Sequence, residues 1–143
     1  MQPTNLVDVR DKIRFVSRML AELAGDARLS LEGDLSRCQF PEAIVVSRDE
    51  TDILKRSTAW PQQDFIVLQL TLPSADLILK QILAAGLKHA ILHLQIERSG
   101  VIELAAYDNL APECVVTGPG ISRHLLTELK SLGIVRSFSS RAN

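Results

Sequence analysis

Cysteine is scarce in this chain, two residues among 143, and Cys38 and Cys114 lie far apart and outside any C-x-x-C spacing. That excludes the spacing signatures of structural zinc and of dithiol redox chemistry. Two reduced, partly buried thiols are the plain reading, and a single bridge between them is the other. Excess charge of either sign is also missing, since sixteen Lys and Arg stand against seventeen Asp and Glu for a formal net charge of -1. A phosphate backbone or an anionic membrane therefore gains no general electrostatic attraction, and neither nucleic acid nor a membrane is an expected partner. No apolar run is long enough to span a bilayer, and no charged n-region precedes an apolar stretch at the N-terminus, so the expected location is cytoplasmic. Low-complexity segments and fixed-period repeats are lacking as well.

What is present is 46% hydrophobic content, enough for one compact core and too little chain for two, so residues 1–143 are expected to form a single domain. Its organising stretch is 64–108. Ile66, Leu68, Leu70 and Leu72 share one face of a strand over 65–72. Pro73 stops that ladder, Ser74 is read as N-cap, and a well-buried helix carries Leu77, Ile78, Ile82, Leu83 and Ala85 as far as Gly86. Ala90, Leu92, Leu94 and Ile96 then alternate with Ile91, His93, Gln95 and Glu97, which is a second strand. A three-residue loop, Arg98-Ser99-Gly100, sets Ile96 opposite Ile102, Leu94 opposite Leu104 and Leu92 opposite Ala106, and puts Gly100 in the left-handed conformation.

Upstream, Leu6, Val9, Ile13, Val16, Leu20 and Leu23 form the stripe of a helix capped by Thr4 or Asn5, widened by Phe15 and Met19. Residues 27–32 alternate as a strand, with Gly33 marking a hairpin turn or a bulge. Residues 43–47 are a short β-branched run. The charged segment 48–57 reads as a helix complementing its own dipole or as a loop. Trp60-Pro61 is a connector. Downstream come a strand at 114–116, a break at 117–120, a helical stripe of Ile121, Leu125, Leu129 and Leu132, a short apolar run at 134–135, and a frayed end from Ser137 to Asn143. This order predicts an α+β domain, its sheet largely antiparallel or mixed, with about three helices packed mainly on one face and one parallel pair possible through the helix at 74–85.

Candidate chemistry is thin. His89 and His93 are four apart, which on a strand is about 13 Å, too far to share an ion, and no metal or cofactor is expected. His93, Glu103 and Tyr107 share the polar face of the 89–107 hairpin and could carry acid–base catalysis. A solvated outer sheet face is the plainer account. Thr117-Gly118-Pro119-Gly120 lacks the pattern and the lysine of a phosphate loop, and Ser122 with His124 lacks a nucleophile elbow. Glu32, Asp34, Asp49, Glu50 and Asp52 match no calcium loop. Two functions are carried forward. One is a small protein acting through a protein partner, as an inhibitor, immunity-type protein or adaptor, monomeric or dimeric. The other is an enzyme of unfamiliar type using the hairpin face.

Overall fold

The computed structural model describes residues 4–141. Alternation at the start of the chain wins over the helical stripe: Asn5–Val9 is a strand, β1, with Val7 and Val9 buried on one face. Asp11 then accepts the Arg14 amide at 3.1 Å and caps α1, Lys12–Leu23. The expected single helix from Leu6 is thus a strand and a helix. Neither Thr4 nor Asn5 caps it, and the buried helical face is Phe15, Val16, Met19, Leu20 and Leu23, leaving Ile13 half exposed.

β2 (Ala27–Gly33) is followed by a one-turn 3-10 helix at Glu42–Ile44 and a short edge strand, β3 (Val45–Ser47). β2 stops at Gly33 because the chain there runs against the start of the next strand over. A Cβ at Gly33 would land on the Ala90 carbonyl oxygen. The segment 48–63 holds no helix, which decides between the two readings of 48–57 in favour of the loop.

β4 (Asp64–Leu70) ends two residues before the expected position, and α2 spans Leu72–Ala85. Thr71, not Ser74, is the N-cap. Its hydroxyl accepts the Ser74 amide at 3.1 Å, and the Ser74 hydroxyl accepts the Thr71 amide at 2.9 Å, a reciprocal capping box. Pro73 sits in the first helical turn, where a missing N–H costs nothing. Leu72 is consequently 74% exposed instead of lining the sheet, and Leu83 is also exposed. Gly86, at φ 91°, closes α2, and a single turn, α3 (Leu87–Ala90), leads into β5 (Ile91–Arg98) and β6 (Val101–Ala106).

The β5–β6 turn is the two-residue Ser99-Gly100, with φ of 54° and 80°. Gly100 is left-handed as expected, but the register differs: Ile96 faces Leu104 and Leu94 faces Ala106. A bulge after Ile102 leaves Glu103 without a partner and shifts the phase of β6, which the sequence reading assigned to a longer loop. β7 (Val115–Thr117), α4 (Arg123–Ser131) and β8 (Val135–Ser140) complete the chain. β8 pairs with β1 from Val135 to Ser140, so the segment expected to fray from Ser137 is an ordered strand. Residues 142 and 143 lie outside the described residues.

The eight strands form one antiparallel sheet in the order β3-β4-β2-β5-β6-β7-β1-β8. The sheet is antiparallel throughout, and the one parallel pair that the helix at 74–85 left open does not form, because β2 inserts between β4 and β5. The helices cover one face. There, Leu68-Leu29-Ile96-Leu104 and Ile66-Leu31-Leu94-Ala106-Val115 run as rows across neighbouring strands and join Phe15, Met19, Leu20, Ile78, Ile82, Leu126 and Leu129 in the main core.

Candidate functional site

The opposite face of the sheet is polar. Glu32 lies between Phe65 and His93, and in the next row Ser30 lies between Val67 and Gln95, continued by Ala105 and Val116. An outer face of this composition is ordinarily wet. Here Glu32 is 1% exposed and His93 5%. The cover is the segment 48–63, which straps the sheet. Leu54 plugs it into a small apolar cluster with Phe65 and Val67, with Ile102 packed alongside. Glu32 then takes two backbone bonds, Oε1 from the Ser57 amide at 2.8 Å and Oε2 from the Thr58 amide at 3.1 Å. Such charge-assisted bonds offset the desolvation of a buried carboxylate. Within the strap, Thr51 accepts the amides of Ile53 and Leu54, Glu50 accepts that of Arg56, and the Arg56 guanidinium lies 5.0 Å from the Phe65 ring centroid while reaching Asp49 at 2.6 Å.

His93 is held at both ring nitrogens. Nδ1 accepts the Asp108 amide at 3.1 Å, and an amide nitrogen can only donate, so in the neutral ring Nε2 carries the proton and gives it to the Thr58 hydroxyl at 2.7 Å. The Tyr107 ring meets His93 edge-on with centroids 5.6 Å apart, and its hydroxyl accepts from Gln95 Nε2 at 2.9 Å. Glu103 belongs elsewhere. On the bulge its Oε1 accepts the Gly120 amide at 2.9 Å and its Oε2 lies 3.9 Å from the Arg98 guanidinium. Of the three acid–base candidates, the structure brings His93 and Tyr107 together and sets Glu103 apart. His89 sits on α3, exposed, rather than on the strand. The buried carboxylate beside His93 across the sheet is Glu32, one of the acids that match no calcium loop in the sequence. Nothing in the irregular pattern of 48–63 signals the cover that buries it.

The glycines of the 117–120 break serve the bulge. A Cβ at Gly118 would meet the Ile102 carbonyl oxygen, and one at Gly120 would meet the Glu103 carboxylate. Ser122 caps α4 by accepting the Leu125 amide at 3.1 Å, which commits the hydroxyl of the Ser122 and His124 pair to the helix start.

Two of the concavities reach 630 Å³ or more. One, of about 700 Å³, lies between the strap and the turn after β2, where Cys38, Gln39, Arg48, Arg56 and Gln63 line it. Both arginines already hold acids, Glu42 and Asp49. Burial pushes the Cys38 thiol up from its ordinary range, with the charge of Asp34 adding to the effect. A thiol so placed is a poor nucleophile at neutral pH. Both cysteines are free. The second concavity, a groove of about 630 Å³, lies on the helix side, where the start of α1, the α2–α3 junction, Asn109 and Gly133 converge. Ile13 and Leu87 supply its apolar surface, and Arg10, Lys12 and Lys88 its charge.

Among the described residues no three His, Cys, Asp or Glu side chains are placed to hold a metal ion, and no helix among them is long and apolar enough to cross a membrane. Comparison of the chain with known protein families, with curated proteins and with solved structures finds no match.

Proposed function

We propose that the protein acts by binding another protein, as an inhibitor, immunity-type protein or adaptor, and that it does so in a reducing, cytoplasmic compartment. The observation that carries this reading is the groove between α1, the α2–α3 junction and the turn after α4. It is an apolar concavity in which Ile13 stays 50% exposed, on a chain whose polar hairpin groups bond to one another, to Thr58 and to its own backbone. Leu132, 49% exposed, immediately precedes the lining residue Gly133. Half-exposed aliphatic side chains around a concavity are what a partner's anchor residue covers. Two free thiols support the compartment.

The test is affinity capture with the full chain from the native host, followed by reconstitution of the binary complex from purified components. A complex of fixed stoichiometry that weakens with Ile13→Ser supports the reading. Full binding by that variant would place the contact elsewhere, and failure of any purified component to bind would remove it. The acid–base reading has the His93–Tyr107 approach in its favour. It requires one ring nitrogen of His93 to be released, Nε2 from Thr58 or Nδ1 from the Asp108 amide, before the imidazole could exchange a proton with a substrate.

A further inference from the structure

The groove on the helix side has a charge pattern as well as a shape. Three cations line it, Arg10 from the link between β1 and α1, Lys12 from the first residue of α1 and Lys88 from α3. The one acid in its lining, Asp11, is committed to its own helix: Oδ1 accepts the Arg14 amide at 3.1 Å, and Oδ2 lies 3.9 Å from the Arg14 guanidinium. Among the described residues Arg10 and Lys88 enter no ion pair, and Lys12 Nζ donates only to the neutral Asn109 Oδ1, at 3.2 Å. In a chain with formal charge -1, these are cations left over around an apolar floor.

Asn109 is set beneath them with unusual firmness. Its Nδ2 donates to the carbonyl oxygens of Leu87 and Ile91 at 2.9 and 2.8 Å, and its own amide bonds the Leu92 carbonyl at 2.7 Å. It is the middle of three consecutive non-glycine residues in the left-handed region, Asp108, Asn109 and Leu110, with φ of 51°, 55° and 57°. Asp and Asn visit that region readily whereas Leu does so at about 1–2 kcal/mol, and a run of three persists only where its surroundings dictate it. One end is dictated by Leu110, buried in the core, and the other by the Asp108 amide on His93. The strained turn thereby fixes the amide oxygen that receives Lys12.

Resting on the binding reading above, we propose that the groove takes an acidic, aliphatic segment of a partner protein. One aliphatic side chain lies against Ile13 and Leu87, and carboxylates on either side of it meet Arg10 and Lys12 on one wall and Lys88 on the other. Charge complementarity selects this occupant: a neutral apolar segment would leave the three cations unpaired around it, whereas flanking carboxylates pair them and steer the encounter. The chain itself carries one exposed stretch of this composition, Glu50 to Ile53 in the strap. That stretch is tied into its own strap, the Glu50 carboxylate accepting the Arg56 amide and the Thr51 hydroxyl the amides of Ile53 and Leu54, so the occupant is a different protein.

The experiment is selection of a displayed random-peptide library on the full-length protein, run in parallel on the wild type, on Arg10→Glu/Lys88→Glu and on Ile13→Ser, each checked for an unchanged melting curve. The two reversed cations are partner-free, which keeps the fold out of the comparison. The wild type is expected to enrich sequences with Asp or Glu flanking Leu or Ile. Synthetic copies of those peptides should bind about tenfold more weakly to the double charge reversal and lose affinity as salt is raised. Enrichment without acidic bias, or equal binding to the charge-reversed protein, overturns the proposal while sensitivity to Ile13→Ser would leave the groove standing as a binding surface. Absence of any enrichment on the wild type overturns both. Concentration-dependent self-association abolished by Asp52→Lys and Ile53→Ser would also overturn it, by giving the groove to a second copy.

Discussion

Removing the carboxylate of Glu32 would leave the Ser57 and Thr58 amides without acceptors where water does not reach. Glu32→Ala is therefore expected to cost about 2–4 kcal/mol in urea unfolding and to speed hydrogen exchange at those two amides, with Glu32→Gln, which keeps one acceptor oxygen, costing about half as much. Wild-type stability in Glu32→Ala would mean that Leu54, the Thr58–His93 bond and Arg56 on Phe65 hold the strap without it. A second residue-scale expectation concerns Cys38. Its thiol is raised by burial, so the folded state disfavours the thiolate. Its contribution to stability is complete below the ordinary thiol range and declines as pH rises through and beyond it. Alkylation of Cys38 in a Cys114→Ser background should lag that of a small thiol at pH 8 and gain on it at higher pH. A rate profile with its midpoint at or below the small-thiol value would contradict this. Residue identities were the least legible level in the sequence. Glu32 alternates with Leu29 and Leu31 as any solvated position would, and only the tertiary placement of 48–63 makes it a buried clamp.

At the scale of elements, two glycines separate two kinds of constraint. Gly100 has nothing within reach of a Cβ but sits at φ 80°, whereas Gly118 carries no such φ and a Cβ there would strike the Ile102 carbonyl oxygen. Gly100→Val is expected to cost about 1 kcal/mol or more through backbone strain, and Gly118→Ala about 1–3 kcal/mol through overpacking against the bulge. Thermal melts of the two variants check this, and an unchanged midpoint in either would remove the corresponding constraint. The left-handed glycine was legible because turn chemistry is local. The register was not, since a bulge and a longer loop shift phase alike, and the choice between them depends on Gly118 and Gly120 arriving from downstream to donate their amides to the Glu103 carbonyl and carboxylate. Boundaries failed for a related reason: Thr71 and Asp11 are ordinary cap residues whose claim over Ser74 and Asn5 rests on where the sheet needs its strands to end.

For the whole molecule, the α+β class with helices on one face followed from the alternation of periods along the chain. Strand order did not, because the antiparallel insertion of β2 between β4 and β5 leaves no mark on either sequence. The far edge makes its own prediction. β1 is paired on both sides, by β7 and by β8, so truncation before Ile134 strips one of its ladders and exposes an apolar strand edge. The truncated chain is expected to aggregate or to lose its cooperative melt, and a monomeric, cooperatively melting product would show that β8 is dispensable. The same pairing has a meaning in time. β1 is finished at Val9, and its neighbours begin only at Val115 and Val135. At about 5–20 residues per second of synthesis the first strand waits on the order of ten seconds with both edges open. During translation, then, β1 leaves the ribosome well before either of its neighbours has been made, and the emerging chain depends on a chaperone to keep that strand from pairing elsewhere.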